Sequence, residues 1–304
     1  MLSDDVHRYV QRHRALGFKY RIQNGLLCNF AAFAAAHDDD VVRTQRVLDW
    51  AGQAPSPQQR RNRLLTVRRF AQAMQAEDKR HQVPPTDAFG RVAFKRRTPY
   101  IYTDDEIMRL LKAAAKLTPK GSIRPATYTT LFALLAATGL RSSEALALTL
   151  EDVTDDGLLI RESKFRKSRL VPLHETVQRR LGEYLKRRAQ VGTSSPAVFV
   201  SPQGAALSYS TVVTVFLGLV RAIGLRAGPG QPGPCLHDLR HTFAVHSLEQ
   251  CGSEPDNVKR HMLALSTYLG HAHVSDTYWY LQATPKLMTQ IAMDGENLHQ
   301  RPQP

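Results

Sequence analysis

Apolar residues recur at helical spacing through the first 80 positions, in Val6, Tyr9 and Val10, then in Leu26, Leu27, Phe30 and Phe33, then in Leu64, Leu65, Val67 and Phe70. Each set lines one face of a helix, so the stretch predicts a small all-helical domain. The pattern breaks between Lys79 and Pro99, where Pro84-Pro85, Gly90 and Pro99 flank the basic run Lys95-Arg96-Arg97. A helical domain over 1–80, a linker over 81–98 and a second domain over 99–304 follow from that punctuation. Length agrees, since 304 residues exceed the size at which a single core keeps growing.

In the second domain, Thr103-Asp104-Asp105-Glu106 places a hydroxyl cap three residues ahead of a carboxylate, which predicts a helix running through about Ala115. An apolar segment from Tyr128 to Thr138 stops at Gly139, and Ser142-Ser143-Glu144 opens a new helix. Asp155-Asp156-Gly157 turns into a strand, Leu158 to Glu162. A second strand, Arg169 to Leu173, follows the tip Phe165-Arg166-Lys167. Helical patterns return at Val177 to Arg188, Tyr209 to Ile223 and Asp238 to Leu248, with a Gly- and Pro-rich loop at Gly228 to Pro234. The fold class expected is mainly α with a small β-hairpin, an α+β protein.

Charge points to a polyanionic partner. Lys and Arg number 41 against 27 Asp and Glu, a formal charge of +14. The helix segment Gln58 to Arg63 is dense in donors, so Arg60, Arg61 and Arg63, with Lys95, Arg96 and Arg97 of the joint, are candidate phosphate contacts. The longest apolar run, near Leu131 to Leu140, is interrupted by Thr and Gly and is about half the ~20 residues of a membrane span, so none is expected. The start Met-Leu-Ser-Asp-Asp lacks the basic stretch and apolar core of a secretory signal, and Cys28, Cys235 and Cys251 are too few for a disulfide scaffold. A cytoplasmic protein with free thiols is expected.

Candidate chemistry gathers in the last 164 positions. Arg141 stands at a helix entrance, where free N–H groups already favour an anion, and Glu144 can hold it by the i,i+3 relation. His237 and Arg240, three apart, share a helix face and can address one phosphate. Lys164 enters the hairpin tip and Lys167 leaves it; either can reach a groove or donate a proton. His271 follows Gly270, which permits a turn. His273 diverges from it on a helix, and no third ligand has fitting spacing, so no metal is expected. Tyr278 and Tyr280 flank Trp279 and point roughly 200° apart on a helix, so only one can act as nucleophile. Five nitrogen-bearing side chains and a phenol suffice to break a phosphodiester without a metal.

The settings of these residues are T-G-L-R-S-S-E at 138–144, R-E-S-K-F-R-K-S-R-L-V-P-L at 161–173, L-H-D-L-R-H-T-F-A at 236–244, and L-G-H at 269–271 with Tyr280 nine residues later. Together, from Thr98 to about Ala283, they resemble the tyrosine recombinase (lambda-type integrase) family. That resemblance implies a site-specific recombinase that cuts and rejoins double-stranded DNA, typically for a mobile element, with no cofactor. Tyr280 would form the 3′-phosphotyrosyl bond, and Lys164, placed by its spacing to Arg169, would protonate the leaving 5′ oxygen. Arg141, Arg240, His237 and His271 would stabilise the phosphate, and Lys167 would contact DNA. The family architecture implies a C-shaped clamp of a helical core-binding domain and a catalytic domain. Four protomers would assemble on DNA, alone or with related recombinases. A tail from about 285, with Leu287, Ile291 and Met293 at near-helical spacing, would dock on a neighbour or remain a loose peptide. The segment Ser253 to Tyr268 is longer than is usual in the family. Two alternatives stay open: a non-cutting DNA-binding protein of this fold, which would be expected to lose Tyr280 or an arginine, and a type IB-like topoisomerase.

Overall fold

The computed structural model describes residues 1–90, 97–161, 168–250 and 255–270, with positions 273, 277 and 280. Two compact units, Met1–Arg97 and Thr98–Pro304, make up the chain. The described residues are mainly helical with one small sheet.

Among the described residues, four helices form the first unit: α1 (Leu2–Ala15), α2 (Arg21–Ala35), α3 (Thr44–Gly52) and α4 (Pro57–Glu77). The apolar stripes read from the sequence close on one core, with Val6, Tyr9 and Val10 of α1, Leu27 and Phe30 of α2, and Leu64, Val67 and Phe70 of α4 all buried. Each such side chain stabilises the fold by roughly 1.5–3 kcal/mol. The periodicity does not announce α3. It has nine residues, its buried positions are Val47, Trp50 and Ala51, and Arg43 at its N-cap supplies no side-chain cap. Packing carries so short a helix: Trp50 is buried and its Nε1 donates to Asn29 Oδ1 at 2.8 Å. At the start of α4, Ser56 Oγ accepts the Gln59 N–H at 3.2 Å and Pro57 fills the first turn. The Pro-rich stretch that follows begins packed on this unit, since buried His81 accepts the Val42 N–H at its Nδ1 (3.1 Å) and the Gln82 N–H donates to the Val42 carbonyl (2.8 Å).

The second unit runs α5 (Asp104–Ala114), α6 (Arg124–Thr138), a short α7 (Ser142–Ala147), strands β1 (Val153–Thr154), β2 (Gly157–Ile160) and β3 (Arg169–Val171), then α8 (Glu175–Ala189), α9 (Tyr209–Ala222), α10 (Asp238–Glu249) and α11 (Pro255–Leu269). The α5 cap is reciprocal: Thr103 Oγ1 accepts the Glu106 N–H at 3.2 Å and Glu106 Oε2 accepts the Thr103 N–H at 3.0 Å. Apolar on several sides, α6 packs against α5, α8 and α10, burying Leu131, Phe132, Leu134 and Leu135. The sheet is antiparallel in the order β1-β2-β3, with Leu158 opposite Val171 and Ile160 opposite Arg169. It carries one strand more than the expected hairpin, the two-residue β1. Strand β3 ends at Val171 rather than Leu173, for Pro172 has no N–H to continue the ladder. A period of two puts Arg169 on the same face as buried Val171. From Pro255 onward the long segment ahead of Gly270 is helical: α11 packs Met262, Leu265 and Leu269 with Ala244, Val245 and Leu248 of α10, and with Tyr280.

Gly139 ends α6 in the left-handed region, φ +59°, and a Cβ there would come within 2.5 Å of Phe243 Cδ1 and 3.2 Å of Leu269 Cδ2. Backbone strain and overpacking therefore act together, and Gly139→Ala is expected to cost about 2–4 kcal/mol, read as a lowered urea midpoint at unchanged m. No described helix is long and apolar enough to cross a membrane.

Candidate active site

The turn after α6 is where the chemistry begins. Two residues beyond Gly139, Arg141 takes the N-cap of α7 in an extended conformation. The Glu144 carboxylate reaches back to it, accepting the Arg141 backbone N–H at 3.0 Å and Nη1 at 2.7 Å. From β3, Arg169 adds a fork to the same carboxylate, with Nη1 to Oε1 at 3.2 Å and Nη2 to Oε2 at 2.9 Å. The third arginine, Arg240 of α10, donates from Nη1 to the Gly139 carbonyl at 2.7 Å.

All three guanidiniums then converge on the C-terminal end of α11. Arg169 Nε donates to the Tyr268 carbonyl (2.8 Å), Arg240 Nη2 to that of Leu269 (2.8 Å) and Arg141 Nη2 to that of Gly270 (2.9 Å). The last carbonyls of a helix lack intrahelical partners and carry the negative end of its dipole, so they are natural seats for cations. Gly270 turns the chain there with φ +66°.

Burial raises the Glu144 pKa, but hydrogen bonds and charge from Arg169 and Arg141 outweigh it and hold the carboxyl below its ordinary value. One carboxylate thus serves two guanidiniums, while Arg240 donates to the neutral carbonyls of Gly139 and Leu269. Arg240 is 2% exposed. Burial and then Arg141 pull its pKa down to about 10, against the opposing influence of Tyr280 and Glu144. It stays charged at neutral pH. A buried cation donating to neutral carbonyls, next to a second cation, favours an anion beside it.

Around this charge lie two imidazoles and a phenol. His237 precedes α10; desolvation on its packed side, followed by Arg240 and Arg141, lowers its pKa against the pull of Asp238, although the residue is open to solvent. Its ring meets His241 edge-on at 4.7 Å, and His241 meets Tyr280 at 5.4 Å with the planes tilted by 56°. Tyr280 is buried, 3% exposed, and its phenol acts on Arg240. Such a site can hold a tetrahedral or trigonal-bipyramidal anion between guanidiniums, with an imidazole and a phenolic oxygen at hand.

Of the residues the sequence singles out for catalysis, Arg141, His237, Arg240 and Tyr280 come together here. Lys164, His271, Lys167, Lys95, Arg96 and the competing Tyr278 lie outside the described residues. Arg97 is exposed at the end of the first unit. Arg60 donates from Nε to the Ala54 carbonyl at 2.8 Å, and Arg63 donates to the Trp50 carbonyl at 3.0 Å with its guanidinium 4.9 Å from the Trp50 ring centroid. Both fasten α4 to the end of α3, whereas Arg61 makes no such bond among the described residues. Sequence reasoning missed Arg169 and His241 as site residues. For Arg169 the signal was an arginine on the inward face of an alternating strand, and for His241 a second imidazole one helical turn after His237.

Comparison with known proteins fits this geometry. The phage integrase family model matches residues 101–286. A protein of Sinorhizobium fredii named as an integrase/recombinase, y4rB, is 42% identical over 298 residues, 94% of each chain. Tyrosine recombinase XerD of Mycobacterium tuberculosis is 30% identical over 213 residues, 68% of this chain and 62% of the relative. Two solved structures share the fold at 19% identity. The XerH site-specific recombinase bound to its palindromic difH substrate has a TM-score of 0.63 over 89% of this chain and 78% of its own. A lambda integrase dimer bound to a core site has a TM-score of 0.62 over 91% and 94%.

Proposed function

This chain belongs to the phage integrase family, the tyrosine recombinases, and from that premise we propose that the arginine cluster and Tyr280 are its strand-cutting centre. The protein is a site-specific DNA recombinase. In this reading Tyr280 attacks the scissile phosphate, forming a 3′-phosphotyrosyl bond as the bond to the 5′ oxygen breaks, and Lys164 protonates that leaving oxygen to give a 5′ hydroxyl. The hydroxyl of a partner strand later attacks the phosphotyrosine, so bond energy is kept and no cofactor is consumed. Arg141 and Arg240 take the nonbridging oxygens, where each preorganised donor is worth about 10²–10³ in rate. His237, whose pKa is held below its ordinary value by desolvation and by Arg240 and Arg141, can accept or return a proton. His271 binds the phosphate.

The observation that carries the reading is Arg240, a fully buried cation seated on the Gly139 and Leu269 carbonyls and beside both Arg141 and Tyr280. Double-stranded DNA is the partner, consistent with the excess of basic residues. The structural neighbours include a lambda integrase tetramer on a Holliday junction, and we extend a tetrameric synapse to this chain. A mobile element is the proposed setting, in keeping with the integrase names of the family and of the 42% identical y4rB.

The test uses the DNA that flanks the gene. Stopping the reaction in detergent should reveal protein joined to DNA at a 3′ end, with 5′ hydroxyl termini; nicking that leaves no protein attached would overturn the reading. Activity should also persist in excess EDTA, because guanidiniums supply the positive charge that a metal would otherwise bring. Loss in EDTA with recovery on adding zinc or magnesium would sink the metal-free mechanism.

A further inference from the structure

Resting on that reading of the site, we propose that Arg169 is a positioning residue which sets the aim of Arg141 through the carboxylate they share. Arg169 comes from β3, Arg141 from the start of α7, and nothing in their sequence separation couples them. Glu144 does. Its Oε1 accepts both Arg141 Nη1 and Arg169 Nη1, and its Oε2 accepts both the Arg141 backbone N–H and Arg169 Nη2.

Arg169 does not face the phosphate. Its Nε, Nη1 and Nη2 are all engaged inside the protein, on Tyr268 and Glu144, and its side chain is 13% exposed against 23% for Arg141. The fork fixes the plane of the carboxylate, and that plane fixes where Arg141 Nη1 lies. The chain opposite is fitted to this guanidinium: a Cβ on Gly270 would stand 2.7 Å from Arg169 Nη1 and 3.0 Å from Cζ. Bonding to Tyr268 as well as Glu144, Arg169 joins the sheet, α7 and the end of α11 into one frame, and the sequence leads from that end to Tyr280. Lysine offers no planar fork, so it cannot satisfy two carboxylate oxygens and a carbonyl at once.

The experiment measures single-turnover adduct formation and, separately, binding of the same duplex. Misplacing a catalytic donor by about 1 Å costs roughly 10²-fold in rate, and that loss is expected for Arg169→Ala with duplex affinity near wild type. Millimolar guanidinium ion should restore part of the Arg169→Ala rate and none of the Tyr280→Phe rate, a gain that a merely destabilised fold would not show. Arg169→Lys should remain well below wild type, and it carries the test should Arg169→Ala lose the fold. Wild-type rates in either variant, or a loss that tracks the unfolded fraction and ignores guanidinium, would overturn the positioning role. If wild-type protein itself forms no adduct, the reading of the site falls first and this inference with it.

Discussion

Tyr280→Phe is expected to abolish the covalent protein–DNA adduct while leaving duplex binding close to wild type. The substitution removes one oxygen, the proposed nucleophile, and removing a nucleophile outright costs on the order of 10⁶-fold. The ring itself stays. Tyr280 packs with Ala244, Leu248 and Leu265 and meets His241 at 5.4 Å, contacts a phenylalanine can keep. The fold should therefore lose no more than about 3 kcal/mol, the upper worth of a hydrogen bond to a charged group such as Arg240. A suicide substrate, nicked so that a short fragment diffuses away after cleavage, traps the adduct on a denaturing gel. Tyr278→Phe should still form it. Should Tyr278→Phe lose the adduct and Tyr280→Phe retain it, the nucleophile is the other tyrosine.

Lys164→Ala should cleave ordinary DNA poorly, yet cleave a strand carrying a 5′-bridging phosphorothiolate at nearly the wild-type rate. An alkoxide is a poor leaving group and needs a proton, whereas a thiolate departs without one. General acid catalysis contributes about 10²–10⁴-fold, which is the defect expected on oxygen and not on sulfur. Arg240→Ala should show no such rescue, since the charge on the nonbridging oxygens must be met whichever atom leaves. Rescue of Lys167→Ala in place of Lys164→Ala would move the acid three residues along the hairpin.

The helices with a clean apolar period were legible in advance. The stripes of α1, α2 and α4 and the Thr103 cap of α5 appear where the residues place them, because periodicity and capping are local properties of the chain. The nine-residue α3 was not legible, since Trp50 earns its helix by packing against Phe30 and by its bond to Asn29. The two-residue β1 was equally silent.

The site divides in the same way. Residue types and spacing nominated Arg141, His237 and Arg240 and left Tyr278 and Tyr280 open, and the resemblance to the tyrosine recombinases selected Tyr280. Spacing also paired Arg141 with Glu144, a relation one helical turn long. What only the tertiary structure decided is how charge is balanced among them. Arg169 and Glu144 are 25 positions apart, and Arg240 and Gly139 are 101 apart. Hydrogen bonds across such separations depend on how strands and helices pack, and no local pattern encodes them. The seating of three guanidiniums on Tyr268, Leu269 and Gly270 exists only because the end of α11 is brought to α7, β3 and α10, where its unpaired carbonyls meet their charge.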